Sequence, residues 1–175
     1  MNQTTVIVPG TTANIGVGFD CLGAALTIYN EFQFTSLEKA AEFTITVEGE
    51  EADKVSTNKS NLLYQSFLKF YQHIDRTPPG ILVQTKLGVP LSRGLGSSAT
   101  AIVGGLIGAN AIEGNPLNTT EIIKLAIAIE GHPDNVVPAL LGNCQLSVGE
   151  AEHWQITEIP WHSDIVPVVA IPNFE

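Results

Sequence analysis

The residues best suited to chemistry lie in one run: Pro90, Leu91, Ser92, Arg93, Gly94, Leu95, Gly96, Ser97, Ser98, Ala99 and Thr100. Two glycines two apart, followed by two serines, suit the holding of an anion against the main chain. Glycine has no Cβ, so it takes positive φ and lets a ligand approach the backbone. Serine hydroxyls bond phosphate oxygens or an oxygen on a metal. The run lies between a β-branched stretch at 81–85, read as a strand, and the uncharged, proline-free stretch 97–112, read as a buried helix. A helix start leaves four N–H groups without partners and carries partial positive charge. Together these make a site for a nucleotide phosphate. The plainer reading is a tight turn with Ser97 as helix N-cap. A Walker loop is excluded, since no lysine follows Gly96. The pattern Gly94-x-Gly96-x-x-Ala99 fits a dinucleotide fingerprint formally. The helix, however, leads into Glu113-Gly114-Asn115-Pro116 and a second helix instead of the strand that fold requires.

Three further places carry polar residues of interest. Asn14 and Asp20 stand in the glycine-rich passage 11–23, which reads as a loop approaching something closely; an isolated Asn could equally cap a turn. Glu130 closes the helix that opens at the capping box Asn118-Thr119-Thr120-Glu121, just before Gly131. The dipole disfavours an acid there, so Glu130 is either a solvated carboxylate or a metal ligand whose charge reverses the penalty. His132, Asp134 and Asn135 follow directly. His73, His153, His162 and Cys144 have no ligand-type spacing and read as ordinary histidines and a thiol.

Periodicity supplies the elements that must position these groups. A first strand at 4–8 is expected to stop at Pro9-Gly10, with strand again at 24–29 and period-two alternation from 31 to 47. Leu62, Leu63, Phe67, Leu68, Phe70 and Tyr71 have helical spacing behind a Ser60 or Asn61 cap. Strands are expected at 144–148, 154–159 and 166–171. Strands in runs, interrupted by few helices, predict an α+β domain with a largely antiparallel or mixed sheet and helices on one face.

The chain has 175 residues, enough for one domain, with 44% hydrophobic and 15% charged residues. A net charge of −10 argues against nucleic acid as partner. An anionic ligand must therefore be held locally, by the helix start, Lys86, Arg93 and a Mg²⁺ ion. The two cysteines, Cys21 and Cys144, lack paired spacing and read as reduced thiols, consistent with a cytoplasmic location. Neither a basic amino-terminal region nor a membrane-length apolar run is present, so no membrane association is expected.

The run from Pro90 to Ala99 resembles the P-x-x-x-G-L-G-S-S-A signature of the GHMP small-molecule kinases, whose loop wraps the phosphates of ATP. Pro9-Gly10-Thr11-Thr12-Ala13-Asn14-Ile15-Gly16-Val17-Gly18-Phe19-Asp20 is similar to P-x-T-S-A-N-L-G-x-G-F-D of that family's homoserine-phosphorylating branch, with Thr12 and Ile15 as mild departures. Gly131-His132-Pro133-Asp134-Asn135-Val136-Val137-Pro138-Ala139 resembles the same branch's G-H-x-D-N-V-x-P-A.

The resemblance implies a ribosomal-protein-like, two-layer amino-terminal domain with a left-handed βαβ unit. It implies an ATP-binding domain running to about residue 160, with the start of a carboxyl-terminal domain in the last residues and the rest of that domain absent. It implies ATP bound by the residues from Pro90 to Thr100 and Mg²⁺ held by Ser98 and Glu130. Asn14, Asp20, His132, Asp134 and Asn135 would bind L-homoserine, Asp20 pairing with its ammonium group. Asp134, Glu130 and Ser98 form the implied catalytic set, with Asp134 in substrate binding first and as a base second. The implied product is O-phospho-L-homoserine, on the route to threonine, and a homodimer is compatible with all of this. The family's third motif is absent, as are the arginines it uses on the amino-acid carboxylate; only Arg76 and Arg93 occur. Activity of this portion by itself is not implied. Another GHMP kinase, or a nucleotide-binding module without catalysis, stays open.

Overall fold

The computed structural model describes residues 2–40, 42–150 and 153–171. Six strands form one mixed sheet: β1 (Gln3–Asn14), β2 (Gly18–Leu37), β3 (Phe43–Glu48), β4 (Gly80–Lys86), β5 (Cys144–Glu150) and β6 (His153–Ile159). The order is β3-β4-β2-β5-β6, with β1 also paired to β2. Only the β3–β4 pair is parallel, and it is joined by α1 (Leu62–His73). The other helices are α2 (Ser97–Ile112), α3 (Thr119–Glu130) and α4 (Pro133–Leu141). Inward-facing residues of the sheet, among them Val8, Phe32, Phe34, Ile81 and Val83, share one core with all four helices. The expected α+β layering, with helices on one face, is what forms. Among the described residues no helix is long and apolar enough to cross a membrane.

Helices α1, α2 and α3 begin where expected, whereas α4 was not foreseen. The Asn61 side chain accepts from the N–H groups of Leu63 and Tyr64. Asn118 and Glu121 form the reciprocal capping box, and Gly131 ends α3 at φ 98. Helix α2 has almost no polar side because it is buried nearly all round; Gly104 and Gly108 bring it against Phe32 and Phe34, where a Cβ would clash.

The strands correct the expectation in three places. β1 does not stop at Pro9-Gly10; it continues to Asn14 through a register shift between Pro9 and Thr11. An irregularity is where a residue without an N–H belongs in a sheet. The passage 11–23 is therefore no loop, but a hairpin whose turn is only residues 15–17. Likewise the expected strands at 24–29 and in the first part of 31–47 are one twenty-residue strand, β2. The strand expected at 166–171 is absent: this stretch pairs with no described strand, and Val166 and Val168 are 75% and 91% exposed. Apolar composition alone makes no strand without a ladder partner.

Strand β2 frames the site. Its 31–37 stretch pairs with β4 and its 22–24 stretch with β5, while 25–30 pairs with neither of these two. There Leu26 and Ile28 pack on Val89 and Leu95, so the glycine-rich run lies against the middle of β2.

Candidate active site

The run from Pro90 to Thr100 leads from the β4 end into α2, as its composition predicts. Ser97 is not the N-cap. Gly96 occupies that position with left-handed backbone (φ 66, ψ 30), and no side chain caps the helix. The plain-turn reading thereby loses its cap, and no N-cap side chain satisfies the first-turn N–H groups. Leu91, Ser92, Ser97 and Ser98 line a cavity of about 290 Å³ that also touches Lys54, Val55 and Asn61. It is a polar-rimmed cleft with apolar walls, the composition of a small-molecule site.

Other members of the run serve different ends. Leu95 and Ala99 are buried and pack the loop down. Pro90 and Arg93 face a separate cavity with Glu50, Glu51 and Asp53. Thr100, expected to contact ATP, is fully buried, and its hydroxyl donates to the Ser97 carbonyl at 2.8 Å. A side chain used in this way supports the loop from within. Lys86 does not line the cleft; Lys54 is the cation that does.

Helix α3 ends beside the start of α2, so that the Ser98 hydroxyl donates to Glu130 Oε1 at 3.0 Å. Residues 32 positions apart thus meet where a serine and a carboxylate would both reach a cation. Among the described residues no group of three or more His, Cys, Asp or Glu side chains could hold a metal. Two oxygen donors suit Mg²⁺, which keeps waters and takes the rest of its shell from substrate phosphates.

On the other side of Gly96, Thr11 Oγ1 donates to Asn135 Oδ1 at 2.8 Å, and Asn135 Nδ2 donates to Asp134 Oδ1 at 3.2 Å. His132 Nδ1 lies 2.6 Å from the same Asp134 oxygen. Asp134 is 3% exposed, whereas His132 is 46% exposed. Pro133 at the first helical position and a helix start around Asp134 place this carboxylate where the α4 dipole favours it. The close approach requires Gly23: a Cβ there would lie 1.7 Å from the Asp134 carbonyl oxygen.

Asn14 and Asp20 meet at the hairpin tip, where the Asp20 N–H donates to Asn14 Oδ1 at 3.0 Å. Both take left-handed backbone (φ 70 and φ 56), which Asn and Asp tolerate best after glycine. Asp20 is exposed, so a pair between its carboxylate and an ammonium group would be formed in solvent. It lines an open pocket of about 470 Å³ together with His132, Cys21 and Trp154. The predicted substrate residues therefore gather at one end of the sheet, around the α4 start and the hairpin tip.

Sequence reasoning missed Thr11, Asn30 and Glu51. Glu51 Oε2 accepts from the Leu91 N–H at 2.7 Å and Oε1 from Lys54 Nζ at 3.1 Å. The Leu91 N–H first, then the Lys54 ammonium, hold the Glu51 carboxyl below the usual carboxylate range. Asn30 had one legible signal: it shares the inward phase of β2 with Phe32 and Phe34, where a polar residue is out of place.

Residues 61–143 match the family described as "GHMP kinases N terminal domain". The chain is 68% identical over its whole length to a homoserine kinase of Crocosphaera subtropica, of which it covers 57%, and 63% identical to one of Trichormus variabilis, of which it covers 58%. It thus spans little more than half the length of these curated relatives. Among solved structures, a homoserine kinase from Cytophaga hutchinsonii superposes with a TM-score of 0.79 at 27% identity, over 91% of this chain and 52% of that one. A mevalonate kinase of Methanococcus jannaschii superposes with a TM-score of 0.71 at 14% identity, over 91% of this chain and 56% of that one, and bears on the fold alone.

Proposed function

From the match of residues 61–143 to the GHMP kinase amino-terminal domain family, we propose that the whole protein transfers the γ-phosphoryl group of ATP to the side-chain hydroxyl of L-homoserine. The P–O bond to ADP breaks, a P–O bond to the homoserine oxygen forms, and the hydroxyl proton leaves. The observation that carries this reading is the junction at Gly96. The uncapped α2 start and the Ser98–Glu130 pair lie on one side, and the Thr11–Asn135–Asp134 chain of bonds on the other. Donor phosphate and acceptor alcohol would meet across that residue. The homoserine kinases at 63–68% identity support the choice of alcohol.

In this reading the first-turn N–H groups and the Ser97 and Ser98 hydroxyls hold the phosphates, and the cleft beside Lys54 and Val55 takes the nucleoside. Ser98 and Glu130 would hold Mg²⁺, which would supply charge neutralisation at the transferring phosphoryl group. Asp134, oriented by His132 and Asn135, would accept a hydrogen bond from the substrate hydroxyl and direct its lone pair. Phosphoryl transfer through a loose transition state needs positioning more than a strong base, so orientation is the larger part of its task. Asp20 and Asn14 would meet the amino-acid end. The ATP-binding domain would run to about residue 160, since β6 ends at Ile159 and residues 160–171 belong to no helix or strand. The following apolar stretch would begin a carboxyl-terminal domain, and the protein would work in the cytoplasm on its diffusible substrate.

The test is a coupled assay of ADP release by the whole protein with homoserine, mevalonate and galactose, the product identified by mass. Release of ADP with homoserine alone, and a product heavier by one phosphoryl group, is expected. Equal turnover of mevalonate or galactose would point to another alcohol. ATP binding without turnover of any alcohol would leave a nucleotide-binding module.

A further inference from the structure

We infer that Asn30, together with Thr100, is a positioning residue that ties the two limbs of the phosphate loop into one rigid piece. This rests on the reading that the loop from Gly94 to Ser98 holds ATP. The β4 ladder ends at Lys86 and α2 begins at Ser97, so residues 87–96 belong to no strand or helix; the Leu87 N–H donates to the Glu48 carbonyl and the Leu95 carbonyl accepts from the Thr11 N–H, but neither bond joins the loop entry to the helix start. Asn30 is 2% exposed and stands on β2 beneath both ends of this gap. Its Oδ1 accepts from the N–H groups of Gly88 and Val89, each at 2.9 Å. Its Nδ2 donates to Thr100 Oγ1 at 2.8 Å. The Thr100 hydroxyl in turn donates to the Ser97 carbonyl at 2.8 Å.

Chemistry decides the orientation of the amide. Two backbone N–H groups demand an acceptor on one side, so the nitrogen must face the threonine hydroxyl. Both lone pairs of the oxygen are used. The relay therefore joins the entry of the loop, at Gly88 and Val89, to the first turn of the helix at Ser97. The neighbouring N–H groups and hydroxyls are those that would meet phosphate. Gly88 is part of the device: a Cβ there would stand 2.4 Å from the Tyr29 carbonyl oxygen, so only glycine brings this N–H to Asn30.

A loop that binds by backbone N–H groups gains from being ordered before the ligand arrives, because the ordering cost then falls outside the binding step. An apolar side chain at 30 would leave the buried Val89 N–H and the part-buried Gly88 N–H without their acceptor and release the entry limb. Removing only the Thr100 hydroxyl would release the helix limb and keep its shape.

The experiment measures ATP affinity in the presence of Mg²⁺ by calorimetry on the whole protein and its variants Asn30→Ala, Thr100→Val and Thr100→Ser. Melting temperatures and the homoserine KM are read alongside. Thr100→Val should weaken ATP about tenfold and Asn30→Ala by tenfold or more, with homoserine KM unchanged, as expected for a lost buried bond. Thr100→Ser, which restores the hydroxyl, should return affinity to within about twofold of the unsubstituted protein. If Asn30→Ala does not fold, the Thr100 pair carries the test. Lower melting temperatures with ATP affinity unchanged in Thr100→Val would overturn the inference and make the relay merely structural. Absence of ATP binding in the unsubstituted protein would instead overturn the reading of the loop, and this inference with it.

Discussion

Gly94 and Gly96 have nearly the same backbone, φ 68 and φ 66, yet they should respond very differently to a methyl group. Left-handed backbone costs an L-residue about 1–2 kcal/mol, so Gly94→Ala and Gly96→Ala share that loss. A Cβ on Gly94 meets nothing within 4 Å. A Cβ on Gly96 falls 2.0 Å from Thr11 Oγ1 and 3.2 Å from Asn135 Oδ1, inside the bond between those two side chains. The methyl therefore points into the contact between Thr11 and Asn135. Displacing that bond adds about 0.5–1.5 kcal/mol. The expected totals are about 1–2 kcal/mol for Gly94→Ala and about 1.5–3.5 for Gly96→Ala. Urea denaturation reads the difference. A double-mutant cycle isolates its source: Thr11→Ala removes the oxygen that the methyl strikes, so Gly96→Ala on that background should cost about 1 kcal/mol less than it does alone. Equal losses at the two glycines, together with strict additivity in the cycle, would refute the reasoning.

Three further outcomes are expected. Glu130→Ala should leave stability within about 1 kcal/mol of the parent, since losing the Ser98 bond is offset by removing an acid from a helix C-terminus. Homoserine-dependent turnover should nevertheless fall more than about tenfold, the loss expected when a charge-assisted contact is removed; a large loss of stability with turnover retained would make Glu130 structural. Glu51 has its pKa depressed in the folded state, so its clamp on Leu91 is fully present above the ordinary carboxylate value and is lost as pH falls through the lowered one. Glu51→Gln should therefore flatten the acid limb of melting temperature below the ordinary carboxylate range, and an acid limb identical to the parent's would count against the clamp. Asp20→Asn should raise the homoserine KM by only about two- to fivefold, because a screened, exposed pair contributes up to about 1 kcal/mol; a hundredfold rise would mean that substrate binds with Asp20 buried.

Local chemistry made much of this protein legible in its sequence. The caps at Asn61 and Asn118, the span of α2 and the stop at Gly131 follow from side chains acting on backbone a few residues away. The glycine-serine run ahead of α2 is legible in the same way from residue type, although Asn30 and Glu51 hold its loop from 40 to 59 positions away. Strand extent was another matter. Pro9-Gly10 looks like a stop, and only the register shift against β2 shows why the strand passes through it. Val166 to Ile171 looks like a strand, yet no described partner pairs with it. A helix closes its hydrogen bonds within itself, whereas a strand exists only by virtue of a neighbour that the local sequence does not name. The site divides in the same way. Residue type marks Ser98, Glu130 and Asp134 as capable, but Ser98 and Glu130 meet across 32 positions, and Asn135, the neighbour of Asp134, meets Thr11 across 124. Only the packing of α3, α4 and β1 around the α2 start decides that these residues meet, that Thr100 turns inward and that Asp20 stays in solvent.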